Sequence, residues 1–220
     1  MAYPYQKNQI KDWPALIKDL QECIPVDKWV VLGMTTNEEG EEALKNQINL
    51  NPFKRLYEDP VKSLEPYVKK GQVAVDLACN TGYYTLALAD CVGPKGKVYA
   101  VDLNERLIRE LKGKVVESGF HNIELHACSA ADMNFIKDGS VDFVLANGLL
   151  CSMSDQRHLA VKEIKRILKP DGQAYLSLGG PPPFGYVNRK EWKNILEGFR
   201  VKQRGNYLLG FQKWALVSIK

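Results

Sequence analysis

Val73-Ala-Val-Asp-Leu-Ala-Cys-Asn-Thr-Gly-Tyr-Tyr84 is the stretch on which the reading of this chain turns. Val73, Val75 and Leu77 form a short apolar run of the kind that makes a buried strand. The run carries Asp76 near its end, passes into a loop of small residues, and continues as Thr85-Leu-Ala-Leu-Ala, which reads as helix. Strand, tight loop and helix start together make the nucleotide-binding corner of a doubly wound α/β sheet. A second strand, Lys97-Val-Tyr-Ala-Val-Asp102, again ends in an acid. A carboxylate at that place suits a ribose diol, because it can accept both hydroxyl protons.

Asp76 discriminates between the two common ligands of such a corner. A dinucleotide brings a pyrophosphate to the helix N-terminus, which favours negative charge. A carboxylate at the preceding strand end opposes that charge. S-adenosylmethionine has an adenosine but no phosphate, and it carries a sulfonium and an ammonium, beside which Asp76 is favourable. The two strand-end acids therefore favour S-adenosylmethionine over NAD, and an NAD dehydrogenase is a distant reading.

With these residues in view, the chain resembles class I S-adenosylmethionine-dependent methyltransferases. Their first motif, an apolar run followed by Asp, a hydrophobic residue and Gly-x-Gly-x-Gly, is matched by Asp76-Leu77-Ala78-Cys79-Asn80-Thr81-Gly82. The resemblance continues through Val101-Asp102-Leu103, Cys128-Ser129-Ala130, and Val141-Asp-Phe-Val-Leu-Ala-Asn147. It also takes in Glu163-Ile-Lys-Arg-Ile-Leu-Lys-Pro-Asp-Gly172, and covers roughly residues 60 to 220. Within the family the chain is similar to the methyltransferase-11-like group, which includes ubiquinone/menaquinone C-methyltransferases and arsenite methyltransferases. The resemblance implies a Rossmann-like, doubly wound seven-stranded sheet whose last strand lies antiparallel between its neighbours. It implies Asp76, Ala78, Asn80, Gly82, Asp102, Leu103, Ser129, Ala130 and Asn147 as cofactor-binding positions, with S-adenosylhomocysteine as product.

Two departures from the pattern bear on the site. Ala78 and Asn80 stand where the family has glycine. Asn tolerates a left-handed backbone, so Asn80 can hold the same turn. The methyl group of Ala78 strains the loop if that position requires a positive φ, and is harmless otherwise. Ser129 replaces an acid that commonly bonds the adenine amino group, and a hydroxyl accepts such a bond more weakly.

Organisation follows from pattern and punctuation. The chain has 220 residues, a formal net charge of +4 and an ordinary apolar fraction of 45%, enough for a sizeable core. No apolar run is long enough to span a bilayer, and Met1 to Lys7 lack a signal core, so the expected location is cytoplasmic. The five cysteines show no Cys-x-x-Cys spacing, which argues against a zinc ribbon or a disulfide framework, and no metal site is expected. Residues 1–56 are read as an N-terminal helical cap and 57–220 as the methyltransferase domain. Trp13, Leu16, Ile17 and Leu20 have helical spacing and give the cap an apolar face. Pro60 opens a helix ending near Gly71. Then come strand 73–77, helix 83–91, strand 97–102, helix 104–118, strands 122–126 and 141–146, helix 155–168 and strand 173–178. Pro170-Asp171-Gly172 ends the last of these helices. A helix near 189–197 and two β runs, 199–209 and 211–219, complete the chain.

The acceptor is expected beyond the methyl group, where Asn147-Gly148-Leu149-Leu150 leaves the fourth strand, because ligands of open α/β sheets bind at the carboxyl ends of the strands. Tyr84 and Asn147 are the candidate catalytic groups, with Tyr83, Phe184, Tyr186 and Trp13 as an aromatic lid. Tyr83 and Tyr84 could equally pack the helix against the sheet. His126, read as lying in a core strand, and His158 at a helix start have structural or solvated readings. Cys79, Cys128 and Cys151 fall at strand ends, where Cys commonly serves as a small apolar filler. Residues 181–220 carry eight basic residues against two acidic ones. They lack an aromatic stacking array, so nucleic acid is not expected. The expected function is methyl transfer to a small molecule, without a membrane partner. An RNA or protein methyltransferase using the basic C-terminal segment, or a non-catalytic S-adenosylmethionine-binding protein, are the alternatives.

Overall fold

The computed structural model describes residues 59–153, 155–178, 187–207 and 212–220. The first described element is the short helix α1, Pro60–Leu64, whose N-terminus is capped by Asp59, with its side chain accepting from the Val61 and Lys62 amides. The apolar spacing predicts a helix running on toward Gly71. It ends earlier because Pro66 has no N–H to continue the ladder. Leu64 and Val68 are nevertheless both buried.

Strands and helices then alternate. β1 (Val73–Leu77), α2 (Tyr83–Val92), β2 (Lys97–Asp102), α3 (Glu105–Ser118), β3 (Ile123–Ala127) and β4 (Val141–Asn147) lead to the one-turn helix α4 (Leu149–Ser152). There follow α5 (Arg157–Ile167), β5 (Leu168–Ser177), α6 (Arg189–Glu197), β6 (Phe199–Tyr207) and β7 (Gln212–Ile219). The seven strands form one sheet in the order β3-β2-β1-β4-β5-β7-β6. β1 to β5 are parallel, and β7 is antiparallel to both of its neighbours, β5 and β6. This is the doubly wound sheet with a C-terminal antiparallel hairpin that the sequence implied. The strand order reverses between β1 and β4, which opens the crevice of such folds at their carboxyl ends.

Alternation of side chains splits each central strand between two cores. Val75 and Leu77 of β1 and Val144 and Ala146 of β4 join Ala160, Ile164 and Ile167 of α5 and Trp192, Ile195 and Leu196 of α6. Ala74 of β1 and Phe143 and Leu145 of β4 face the other way, onto Leu64 and onto Leu88 and Val92 of α2. α3 contributes the fully buried Leu111, which packs with Cys79 and Ala100. Along the apolar face of α3, Leu111 is buried most deeply, with Leu107 and Val115 half-buried.

Two sequence expectations are corrected. β5 begins at Leu168 rather than near Gln173, because Leu168 pairs with Val141 before the register breaks and resumes at Phe143 with Gln173. Gly172 sits in this bulge, where a Cβ would stand 2.8 Å from the Val141 carbonyl oxygen. His126 lies on β3, which is an edge strand. It is half-buried, bonds Glu124 at 2.7 Å and stacks on Phe135 with ring centroids 3.5 Å apart. The basic residues Arg200, Lys202 and Arg204 are exposed along β6, the other edge strand, where charge discourages pairing with a second sheet. The cap expected over residues 1–56, with Trp13, and the aromatic pair Phe184 and Tyr186 lie outside the described residues.

The loop after β1 resolves the question posed by Ala78. Ala78 has φ +59° and Asn80 φ +51°, so both non-glycine replacements are left-handed. Gly82 has φ +91°, and a Cβ there would stand 2.1 Å from Leu111 Cδ1. Ala78→Gly is therefore expected to stabilise the protein by up to about 1 kcal/mol, since relief of a left-handed alanine outweighs the added unfolded-state entropy. Gly82→Ala is expected to cost about 2–4 kcal/mol from backbone strain plus overpacking. Urea titration of both variants checks the opposite signs.

Candidate functional site

The carboxyl ends of β1 and β2 bring two acids together. Asp76 and Asp102 are each 3% exposed. Asp76 pairs in register with Ala100 of β2, two residues before Asp102. The Thr85 hydroxyl, on the first turn of α2, donates to Asp76 Oδ2 at 2.6 Å. Burial holds the Asp76 carboxyl far above its ordinary value of 3.8, at about 7, with Thr85 pulling it down and Asp102 pushing it up. A cation brought next to this group favours its ionised form.

Asp102 organises the loop. Its Oδ2 accepts from the Asn80 amide at 3.0 Å and its Oδ1 from the Asn104 amide at 2.9 Å. An ionised carboxylate offers about four lone-pair sites, so amide contacts and a diol contact are compatible. The loop is stitched further by Cys79 N to Val101 O at 3.1 Å, Gly82 N to Cys79 O at 3.0 Å, and Thr81 N to Asn80 Oδ1 at 2.7 Å. Lys114 of α3 donates to Thr81 O at 3.1 Å. Hydrogen bonds from both β2 and α3 to its backbone thereby fix the left-handed turn before the α2 N-terminus.

Leu103, beside Asp102, is 68% exposed. A large apolar side chain left in solvent next to a buried acid is a ready platform for a flat ring. Ala130 is buried, and Cys128 N bonds Asp102 O at 3.1 Å, which draws the 128–130 loop toward the same corner. Ser129 Oγ accepts from the Ala131 amide at 3.2 Å and reaches Gln156 Oε1 at 3.5 Å. On the β4 side, Asn147 Oδ1 accepts from the Ser177 hydroxyl. The Gly148 amide is within 3.1 Å of Ser177 O and 3.2 Å of Ser177 Oγ. The amide NH₂ of Asn147 is thus directed away from Ser177. Tyr84 packs against the apolar cluster that holds Leu88 and Phe143, edge-on to Tyr83 at 4.9 Å between centroids.

Burial pushes the Cys79 and Cys128 thiols above their ordinary range, helped by Asp76 and Asp102 for Cys79 and by Asp132 for Cys128. Thiols held protonated are poor nucleophiles and metal ligands. No group of three or more His, Cys, Asp and Glu side chains could hold a metal among the described residues. Sequence reading did not single out Thr85, Ser177, Asn104 or Arg157. Thr85 had a local signal, because it stands three residues after Gly82, one turn into the helix that starts there. Ser177 acts on the neighbouring strand and Arg157 on α4 and α6, and neither had one.

A family model described as "Methyltransferase domain" matches residues 74–172, a span enclosing Asp76, Asp102, Ser129 and Asn147. The chain is 37% identical over 120 residues to a demethylmenaquinone methyltransferase of Geobacillus stearothermophilus, covering 54% of this chain and 50% of that one. It is 34% identical over 133 residues to a demethylmenaquinone methyltransferase of Staphylococcus carnosus, covering 60% and 53%. A crystal structure of an S-adenosylmethionine-dependent methyltransferase from Aquifex aeolicus superposes with a TM-score of 0.66 at 27% identity, covering 77% of this chain and 94% of that one. Residues 74–172 are thus similar to the methyltransferase domain family, and the fold resembles that of the S-adenosylmethionine-dependent methyltransferase from Aquifex aeolicus. It spans about half the length of the curated relatives it matches.

The buried Asp76 generates a prediction for the protein without ligand. Its folded-state pKa lies above the unfolded one, so between about 4 and about 7 the folded state holds a proton that the unfolded chain has released. Stability therefore falls as pH rises through that window. Asp76→Asn keeps an oxygen for the Thr85 hydroxyl and removes the titration. The variant is expected to be more stable than the parent at pH 8, by an amount on the order of 2–4 kcal/mol, with little difference at pH 4. Chemical denaturation at the two pH values checks it.

Proposed function

We propose that the protein transfers a methyl group from S-adenosylmethionine to a small-molecule acceptor, with S-adenosylhomocysteine as product. The supporting observation is the pair of buried strand-end acids inside a span that matches the methyltransferase family. The donor chemistry of the corner fits this cofactor. Asp76 is a buried carboxyl whose ionisation a cationic ligand favours and a pyrophosphate opposes, and Leu103 offers an exposed apolar face. When bound, S-adenosylmethionine supplies an activated methyl group.

The rest falls to the chain's own residues. In this reading Asp76 holds the cationic amino-acid end, and Asp102 accepts the ribose hydroxyl protons. Leu103 covers one face of the adenine, with Ser129 and Ala130 at its edge. Ala78, Asn80 and Gly82 shape the backbone around the ligand. Asn147, steadied by Ser177, directs an amide donor toward the acceptor side, and Tyr84 forms the aromatic wall below it. Methyl transfer by direct displacement gains most from proximity and exclusion of water, which this arrangement supplies without a dedicated base. In this reading residues 57–220 are the catalytic domain.

The relatives' names point the acceptor toward demethylated quinols, electron-rich rings in which a phenolate activates its own carbon. We assign the protein to the cytoplasm. Among the described residues no helix is long and apolar enough to cross a membrane. Incubation with methyl-labelled S-adenosylmethionine and, separately, a demethylated naphthoquinol, total RNA and a protein pool tests the reading. Label is expected in the quinol. Label confined to RNA or protein favours those acceptors, and label in none contradicts catalysis. Asp102→Asn is expected to weaken S-adenosylmethionine binding by about 1.5–3 kcal/mol, the range for a hydrogen bond to a charged group. Unchanged affinity by calorimetry would remove Asp102 from the ribose.

A further inference from the structure

The one-turn helix α4 leads directly out of the Asn147-Gly148 turn, and its place is set by side-chain donors. A helix this short has no ladder to satisfy its own carbonyls. Cys151 Sγ donates to Gly148 O at 2.8 Å, and Ser152 Oγ donates to Leu149 O at 2.8 Å. The next carbonyl, Leu150 O, accepts from Arg157 Nε at 2.5 Å. This third donor comes from another helix, α5.

Arg157 is only 6% exposed, which is rare for an arginine and costly unless the charge is paired. Its Nη1 meets Glu191 Oε1 in an ion pair. Glu191 stands three residues after Asn188, the cap of α6, whose side-chain oxygen accepts from the Glu191 amide at 2.8 Å. An N-cap with Glu at that position commonly forms a reciprocal box, in which the Glu side chain turns back to the cap. Here the carboxylate is committed to Arg157 instead. One buried guanidinium therefore joins three elements: α4, the start of α5 and the first turn of α6. The residue before it, Gln156, lies 3.5 Å from Ser129 on the adenine side.

We propose that Arg157 is a positioning residue for the acceptor site: through its fork to Leu150 O and Glu191 it fixes α4, and with it the wall beyond Asn147. The assignment to an acceptor wall rests on the methyltransferase reading; the clamp on α4 does not. The guanidinium suits this role because its planar, permanently charged fork makes two directed bonds at once, which a lysine ammonium on a flexible stem does not reproduce. The cofactor corner at Asp76 and Asp102 is held by its own backbone bonds, so it is independent of the clamp.

The test uses the full chain with S-adenosylhomocysteine bound and compares Arg157→Lys, Arg157→Met and Glu191→Gln. Glu191 has a 39% exposed side chain, so the last variant spares the core if Arg157→Met fails to fold. Amide hydrogen exchange of residues 148–152 is expected to speed up at least tenfold in Arg157→Met and several-fold in the other two. Residues 78–82 should keep the parent rate, and S-adenosylmethionine affinity should stay within twofold. With a demethylated naphthoquinol that the parent protein methylates, KM for the quinol should rise about tenfold while kcat changes less than threefold. Unchanged exchange at 148–152 in both Arg157→Met and Glu191→Gln overturns the clamp. So does a cofactor affinity that falls in step with the exchange. If the parent protein does not methylate the quinol, the acceptor reading fails, and the exchange result still decides the clamp.

Discussion

Two carboxylates buried at the ends of adjacent parallel strands are the constraint around which this fold is arranged. Removing a charge from water is expensive, and placing a second one beside it adds repulsion. The chain meets this in two different ways. Asp102 is embedded in backbone amides, from Asn80 and Asn104, which stabilise a carboxylate. Asp76 has the Thr85 hydroxyl, and burial leaves it poised near neutrality. A site that folds with one acid poorly satisfied sacrifices stability and gains a strong preference for a cationic ligand.

The surrounding packing keeps this corner rigid. The left-handed turn from Ala78 to Gly82 is tied to β2 by Asp102 and by the Cys79–Val101 backbone bond, and to α3 by Lys114. Leu111 fills the space beneath Gly82, so α3 cannot shift without disturbing the loop. At its far end, α2 is held by Asn122, whose amide donates to Ala89 O at 3.2 Å and Gly93 O at 2.9 Å and so satisfies terminal carbonyls. On the other side of the crevice, Asn147 and α4 are supported by Ser177 and Arg157 rather than by the loop. The two halves of the site therefore have separate supports.

The sequence disclosed what depends on local pattern. The apolar run at Val73–Leu77, the loop, the α2 start and the α6 segment at 189–197 could all be read from spacing, because neighbouring residues decide them. Asp76 and Asp102 were legible as acids at strand ends. What escaped was, Pro66 apart, non-local. α1 stopped short because Pro66 interrupts an otherwise favourable pattern. β5 started early because Leu168 pairs with Val141, 27 positions earlier in the chain but adjacent in the sheet. The role of Ser177 and the Arg157–Glu191 pair rest on partners 30 and 34 positions away, which no local window contains. The left-handed φ of Ala78 was posed by the sequence as a question and answered by the backbone.

The central claim is that the poised Asp76 selects a cationic, phosphate-free cofactor. Calorimetric titration with S-adenosylmethionine and with NAD at pH 7, repeated in two buffers of different ionisation enthalpy, addresses it directly. The account predicts that S-adenosylmethionine binds with release of a fraction of a proton, as Asp76 ionises beside the positive charge, and that NAD does not bind. Binding of S-adenosylmethionine without proton release, or comparable binding of NAD, would contradict it.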